Sequence, residues 1–326
     1  MKKILALLLA LWIPAAVFSG CAPQDDSAAS NKLNIVTTIF PAYDWVREIL
    51  GDETDRAEIT TLLDSGVDLH SHQPTVDDIV KISDCDLFLY VGGESDGWVE
   101  DALKNAPNKE RNVIRLLDVL GDSAKAEETV EGMQEEEHDH EEEAEYDEHI
   151  WLSLKNAQVL VAAISEALQE TDPARKDAYA ANAAAYAEKL SALDGEYRAA
   201  VDSGKYKTLL FGDRFPFRYL ADDYGLDYYA AFPGCSAETE ASFETVSFLA
   251  GKMDALGLPC VLTIEGTQHK IAETIVQNTA QKNQQVLTMD SMQAVTANDA
   301  ASGVSYLSIM EKNLSVLKKA LGQEAE

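Results

Sequence analysis

His70 and His72 lie in Gly66-Val67-Asp68-Leu69-His70-Ser71-His72-Gln73-Pro74, a polar stretch that directly follows an apolar, β-branched run at 57–63. In extended chain, residues i and i+2 project to the same side, so both imidazoles can face one ligand. His149 stands in Tyr146-Asp147-Glu148-His149-Ile150-Trp151-Leu152, where an acidic stretch meets an apolar one that anchors it. Carboxylates close strand-like runs further along: Asp213 beside Arg214 after Phe211-Gly212, Glu265 after the run at 260–264, and Asp290 after that at 285–289. In parallel α/β sheets ligands gather beyond the carboxyl ends of strands, which is where these residues fall. Arg214 is equally placed for a structural ion pair. Two imidazoles with one or two carboxylates suit Zn²⁺, with Mn²⁺ tolerated as oxygen donors increase. Binding needs neutral imidazoles, so affinity is expected to fall as pH drops through about 6.5. Several sequence elements of common enzymes are absent: no HExxH, GxxxxGK[ST] or strand-to-helix GxGxxG occurs. The expectation is a binding protein, not an enzyme.

An acidic insertion flanks His149. From Glu127 to Glu148 there are thirteen Asp or Glu residues, no Lys or Arg, and two histidines, His138 and His140. Like charges repel and little there is apolar, so 127–148 is expected to be a mobile loop that gathers cations weakly. The whole chain shares this bias, with 57 Asp+Glu against 26 Lys+Arg and a net charge of −31. Such a surface repels nucleic-acid phosphates and anionic lipid and attracts cations.

Eight short apolar runs are read as strands, at 34–39, 57–63, 86–91 and 112–117 and again at 207–211, 227–232, 260–265 and 285–289, with helical patterns between them. This alternation predicts two α/β lobes, each with a mainly parallel four-stranded sheet flanked by helices. Between them, Thr171-Asp172-Pro173 opens a Pro-free helical stretch to about residue 203, with Asp172 as cap and Pro173 in the first turn. Its apolar positions Tyr179, Ala183, Tyr186, Leu190, Leu193 and Tyr197 step by three or four, so one stripe packs. A single long rigid linking helix joining the lobes is the result. The expected layout is a leader at 1–20, a flexible tether at 21–32, an N-terminal lobe at 33–172, the linking helix at 173–203 and a C-terminal lobe at 204–326. Lys2 and Lys3 precede an apolar run too short to span a bilayer, which reads as an export signal. Removing it takes both lysines and brings the charge to −33. Of the remaining cysteines, Cys85 is read as a small apolar filler, while Cys235 and Cys260 lie in the second half, where pairing is open.

In combination these segments resemble the zinc/manganese-type metal-binding solute receptors of bacterial ABC importers, the TroA-like superfamily, and within it the zinc-uptake branch. The segments that carry the resemblance are Asn34-Ile35-Val36-Thr37-Thr38, Gly66-Val67-Asp68-Leu69-His70, Asp147-Glu148-His149-Ile150-Trp151-Leu152-Ser153, and a closing helix with Tyr306-Leu307, Met310 and Asn313-Leu314. Phe18-Ser19-Gly20-Cys21 resembles a lipobox, which implies lipidation of Cys21 and attachment to the bacterial cell membrane through that lipid only. The resemblance implies that His70 and His149 are metal ligands and that Asp290 is a ligand from the second lobe. Arg214 stands where the group usually has its third ligand, and Arg cannot ligate a cation. Either Asp213 replaces it or the site has fewer protein ligands and keeps a water. His72 is a spare ligand candidate and Glu265 another; His269 matches no motif and is read as a helix-cap residue. The implied function is an extracytoplasmic, high-affinity zinc receptor, monomeric, that delivers Zn²⁺ to the permease and ATPase subunits of an importer. A manganese or iron receptor, a secreted metallohydrolase and an adhesin are the alternatives.

Overall fold

The computed structural model describes residues 32–134, 145–236, 240–266 and 269–323. The expected leader, the expected lipidation site Cys21, the expected tether up to residue 31, and His138 and His140 lie outside the described residues. Each of the eight expected runs forms a strand: β1 (Leu33–Thr37), β2 (Ala57–Thr61), β3 (Leu87–Tyr90), β4 (Asn112–Arg115), β5 (Thr208–Arg214), β6 (Asp227–Phe232), β7 (Cys260–Thr263) and β8 (Gln285–Thr288). They make two four-stranded sheets, ordered β2-β1-β3-β4 and β6-β5-β7-β8, and every pairing is parallel. The inner strands are apolar along their length because helices cover both sheet faces; Leu87, Phe88 and Leu89 are all fully buried.

Helix starts follow local chemistry. Thr75 and Asp78 form a reciprocal capping box that opens the helix Val76–Asp84, and Ser305 with Ser308 does the same for Tyr306–Ala320. The long helix runs Lys176–Ser203 after a short 3-10 turn at Pro173–Arg175. Its 28 residues span about 42 Å. All six residues of the expected stripe are buried, and the helix packs on Leu154–Thr171, Phe40–Leu50 and Tyr306–Ala320. Asp172 differs from expectation: its carboxylate accepts from the Arg175 guanidinium (3.1 Å) and the Tyr179 hydroxyl (3.0 Å) and caps nothing.

Much of the acidic insertion is ordered, against the expectation of a mobile loop. Glu128 pairs with Arg218 (3.1 Å) and Glu131 with Lys252 (2.9 Å). The Gln134 N–H donates to the Ala231 carbonyl (2.9 Å), and Met133 is buried in the core. The returning strand is tied to the outgoing one, with the Glu127 N–H on the Glu145 carbonyl (2.7 Å) and the Asp147 N–H on the Lys125 carbonyl (2.9 Å). Cations of the second sheet's helices neutralise the acids, and Met133 supplies an apolar anchor that charge counting overlooks. Cys85, Cys235 and Cys260 are all free thiols.

Candidate metal centre

His70 is set by its own loop. The Asp68 carboxylate accepts the His70 backbone N–H (3.0 Å), which starts the short turn Leu69–Ser71, and buried Leu69 pins that turn to the core. His149 is held through its neighbours on either side. Trp151 is clamped twice, its indole N–H donating to the Ser291 carbonyl (2.9 Å) and its own carbonyl accepting from the Tyr306 hydroxyl (2.7 Å). One oxygen of Asp147 accepts both the backbone N–H (2.8 Å) and ring Nδ1–H (3.0 Å) of fully buried His149. That bond leaves the lone pair of His149 on Nε2.

The two rings then meet Nε2 to Nε2 at 3.2 Å. Two nitrogens each about 2.05 Å from one Zn²⁺ at the tetrahedral angle are about 3.4 Å apart, so the pair is already spaced for a shared cation. His70 Nδ1 faces the Ser95 hydroxyl (2.9 Å) and the Glu148 carboxylate (3.3 Å), and Glu148 in turn accepts the Ser95 N–H (2.8 Å). Gly93 is required here: a Cβ on it would lie 2.0 Å from a Glu148 oxygen. Both imidazoles therefore carry a carboxylate behind them, the usual support of a metal-ligating histidine.

Burial governs the protonation of these groups. It pushes His70 down to about 3, the neighbouring His149 adding to the effect and Asp68 opposing it. Burial also raises Glu148 to about 7 and the Cys235 thiol well above its ordinary value, the latter reinforced by Asp147, Glu127 and Glu148. His70 thus stays neutral far below the pH of about 6.5 expected from a free imidazole.

Among the described residues, the group of donor atoms lying within 4.8 Å of one another is His70, His149 and Cys235. Cys235 carries no ligand role in the reading of the sequence. The signal was present: it follows β6 by three residues and so lies beyond a strand's carboxyl end, the rule applied to the acids but not to the thiol. Gly234 lets its loop close on the site, since a Cβ there would sit 2.9 Å from the Phe215 carbonyl and 3.3 Å from the His149 ring.

The other expected ligands are not in this group. Arg214 makes an ion pair with Asp68, and Asp213 accepts the Arg214 N–H (3.0 Å). Glu265 accepts from the N–H groups of Ser291, Gln293 and Ala294 and from the Ser291 hydroxyl, at 2.6 to 3.3 Å. Asp290 accepts the Met292 N–H (2.8 Å) through one oxygen of its carboxylate. His72 packs edge-on against Trp98, with ring centroids 5.9 Å apart. His269 occupies a helix N-cap position without a side-chain capping bond. His70 and His72 line a cleft of about 590 Å³ whose walls also include Glu94, Trp98, Glu127 and Tyr146.

The chain is similar to known proteins over nearly its whole length. The family model described as ZnuA, zinc-uptake complex component A periplasmic, matches residues 35–320. The zinc-binding lipoprotein AdcA of Streptococcus pneumoniae is 32% identical over 99% of this chain, which spans 62% of that relative's length. The high-affinity zinc uptake system protein ZnuA of Bacillus subtilis is 29% identical, over 89% of this chain and 88% of its own. Among solved structures, the Zn(II)-bound ZnuA-like domain of S. pneumoniae AdcA superposes with a TM-score of 0.70 at 29% identity, covering 90% of this chain and all of that one.

Proposed function

Because the chain belongs to the ZnuA family of periplasmic zinc-uptake components, we propose that it is an extracytoplasmic receptor that captures Zn²⁺ and delivers it to an ABC importer. The observation that carries this reading is the pair of imidazoles facing each other at 3.2 Å, each backed by a buried carboxylate. His70 and His149 are its ligands, and Zn²⁺ is cargo. Relatives named as zinc-binding lipoproteins support the cargo and the attachment, which runs through lipidated Cys21. A permease and its ATPase are the partners, the receptor acts as a monomer, and no bond is made or broken. In this reading the leader is 1–20, the tether 21–32, the lobes 33–172 and 204–326 and the linking helix 173–203, with the insertion a strap of the first lobe docked on the second through Arg218 and Lys252. His138 and His140 of the insertion collect ions.

Calorimetric titration of the purified soluble chain with Zn²⁺ tests the reading. One tight site is expected, and it should persist when residues 135–144 are deleted, with only weaker additional binding lost. Absence of any tight site, or its loss with that deletion, overturns the assignment.

A further inference from the structure

We propose that Cys235 is the third ligand, bound as a thiolate, and that it makes the site selective for thiophilic divalent ions, zinc and cadmium, over manganese. This rests on the receptor reading and names the chemistry that chooses its cargo. With Zn–N near 2.05 Å and Zn–S near 2.3 Å, a tetrahedral ion holds sulfur about 3.6 Å from each nitrogen. The Cys235 sulfur lies within 4.8 Å of ligand nitrogens of both His70 and His149, and those two are already 3.2 Å apart. A small inward movement of one loop completes the set.

The surroundings separate this cysteine from the others. Cys85 and Cys260 are fillers, each packed in an apolar cluster. Cys235 belongs to neither, is half-buried, and lines the cleft together with Glu127 and Glu148. Its loop is held from the opposite side of the cleft, the Cys235 N–H donating to the Glu127 carboxylate at 2.7 Å. The competing donors have other duties: Asp68 pairs with Arg214, Glu265 holds the Ser291–Ala294 backbone, and Asp290 holds Met292. On binding, the S–H bond breaks, an S–metal bond forms, and the proton leaves through the cleft to solvent. The fourth position faces the cleft, where there is room for water. A thiolate favours zinc and cadmium and disfavours manganese, which prefers oxygen.

The test uses the full soluble chain, reduced, loaded with Co²⁺ as a spectroscopic stand-in. Wild type should show an intense near-ultraviolet thiolate-to-cobalt charge-transfer band. Cys235→Ser, which keeps Cys85 and Cys260, should lose that band, and its zinc affinity should fall by about a hundredfold or more, with a much smaller loss for manganese. Cys235→Asp should shift the zinc-to-manganese preference toward manganese. The wild-type spectrum needs no variant, so a misfolded substitution leaves the test intact. One tight cobalt or zinc ion without the charge-transfer band, or undiminished zinc binding by Cys235→Ser, overturns the thiolate ligand and leaves the receptor reading standing. No tight zinc or cobalt in wild type overturns both.

Discussion

The two sheets share one strand order and one direction, yet their carboxyl ends are equipped differently. In the first half, the loop after β2 and the returning arm of the acidic strap bring His70 and His149 together with their Nε2 atoms turned toward each other. Their carboxylates, Glu148 and Asp147, stand behind the rings. In the second half the carboxylates sit directly at the strand ends, and each accepts at least one backbone N–H. Asp213 holds the next N–H, Glu265 organises the loop 291–294, and Asp290 closes the turn to Met292. A buried backbone N–H left unpaired costs about 1–3 kcal/mol, so Glu265, which satisfies three of them, is held by the fold. Position at a strand end therefore makes a ligand only where the loop beyond can fold without that side chain.

The sharpest test of this contrast sets one residue from each half side by side. His149→Ala should weaken zinc binding on the order of a thousandfold, since one of a few ligands is removed. Asp290→Ala should leave affinity close to wild type. Equal losses in a competition assay against a chromophoric chelator would break the comparison and make the cation a shared one. Glu265→Ala should reverse the pattern. It strips four hydrogen bonds from the loop 291–294 and should lower unfolding free energy by about 3 kcal/mol in urea, while zinc affinity is retained. A loss of zinc with unchanged stability would move Glu265 into the site.

Both halves also bury acids raised to about 6: in the first, Asp44, by burial against the opposing Tyr306 N–H, and Asp96, by burial against the opposing Gly92 and Val91 N–H groups; in the second, Asp290, by burial and then the neighbouring Glu265. Asp44 is clear of the histidines, so its linkage can be read cleanly. Its folded pKa exceeds the unfolded value of about 3.9. It therefore adds stability below pH ~3.9, and that stability is lost as pH rises through about 6. Two units correspond to about 3 kcal/mol. Asp44→Asn should accordingly gain up to that amount relative to wild type between pH 4 and pH 7.5, measured as the difference between two urea unfolding curves. A difference that does not change with pH would mean that the Tyr306 N–H, at 2.8 Å, compensates the burial in full.

The strands and the long helix were readable because near-continuous apolar runs and a three-to-four stripe are direct traces of what gets buried. His70 and His149 were readable for a related reason: each sits at a sharp change from polar to apolar sequence. The proposed third donor was not. Whether Asp290 or Glu265 keeps a free lone pair depends on the loop beyond it, and Asp172 was likewise taken by Arg175 and Tyr179 before it could cap. Cys235 gains its meaning only from the approach of two distant segments, which Gly234 permits and Glu127 holds. The strap shows the same limit: its docking depends on Arg218 and Lys252, about a hundred residues away.

The smallest expected effect concerns the group behind the ring. Asp147 fixes His149 twice with one oxygen, through the backbone N–H and through Nδ1–H. Asp147→Asn keeps an oxygen that can accept but removes the charge that makes the imidazole a stronger donor to metal. Zinc affinity should fall by about ten- to a hundredfold, less than for His149→Ala, with no loss for the matched Asp213→Asn in the other half. An Asp147→Asn protein with wild-type affinity would mean that Trp151, clamped by Ser291 and Tyr306, orients His149 without help from the carboxylate. The first half's advantage would then lie in packing rather than in its buried acids.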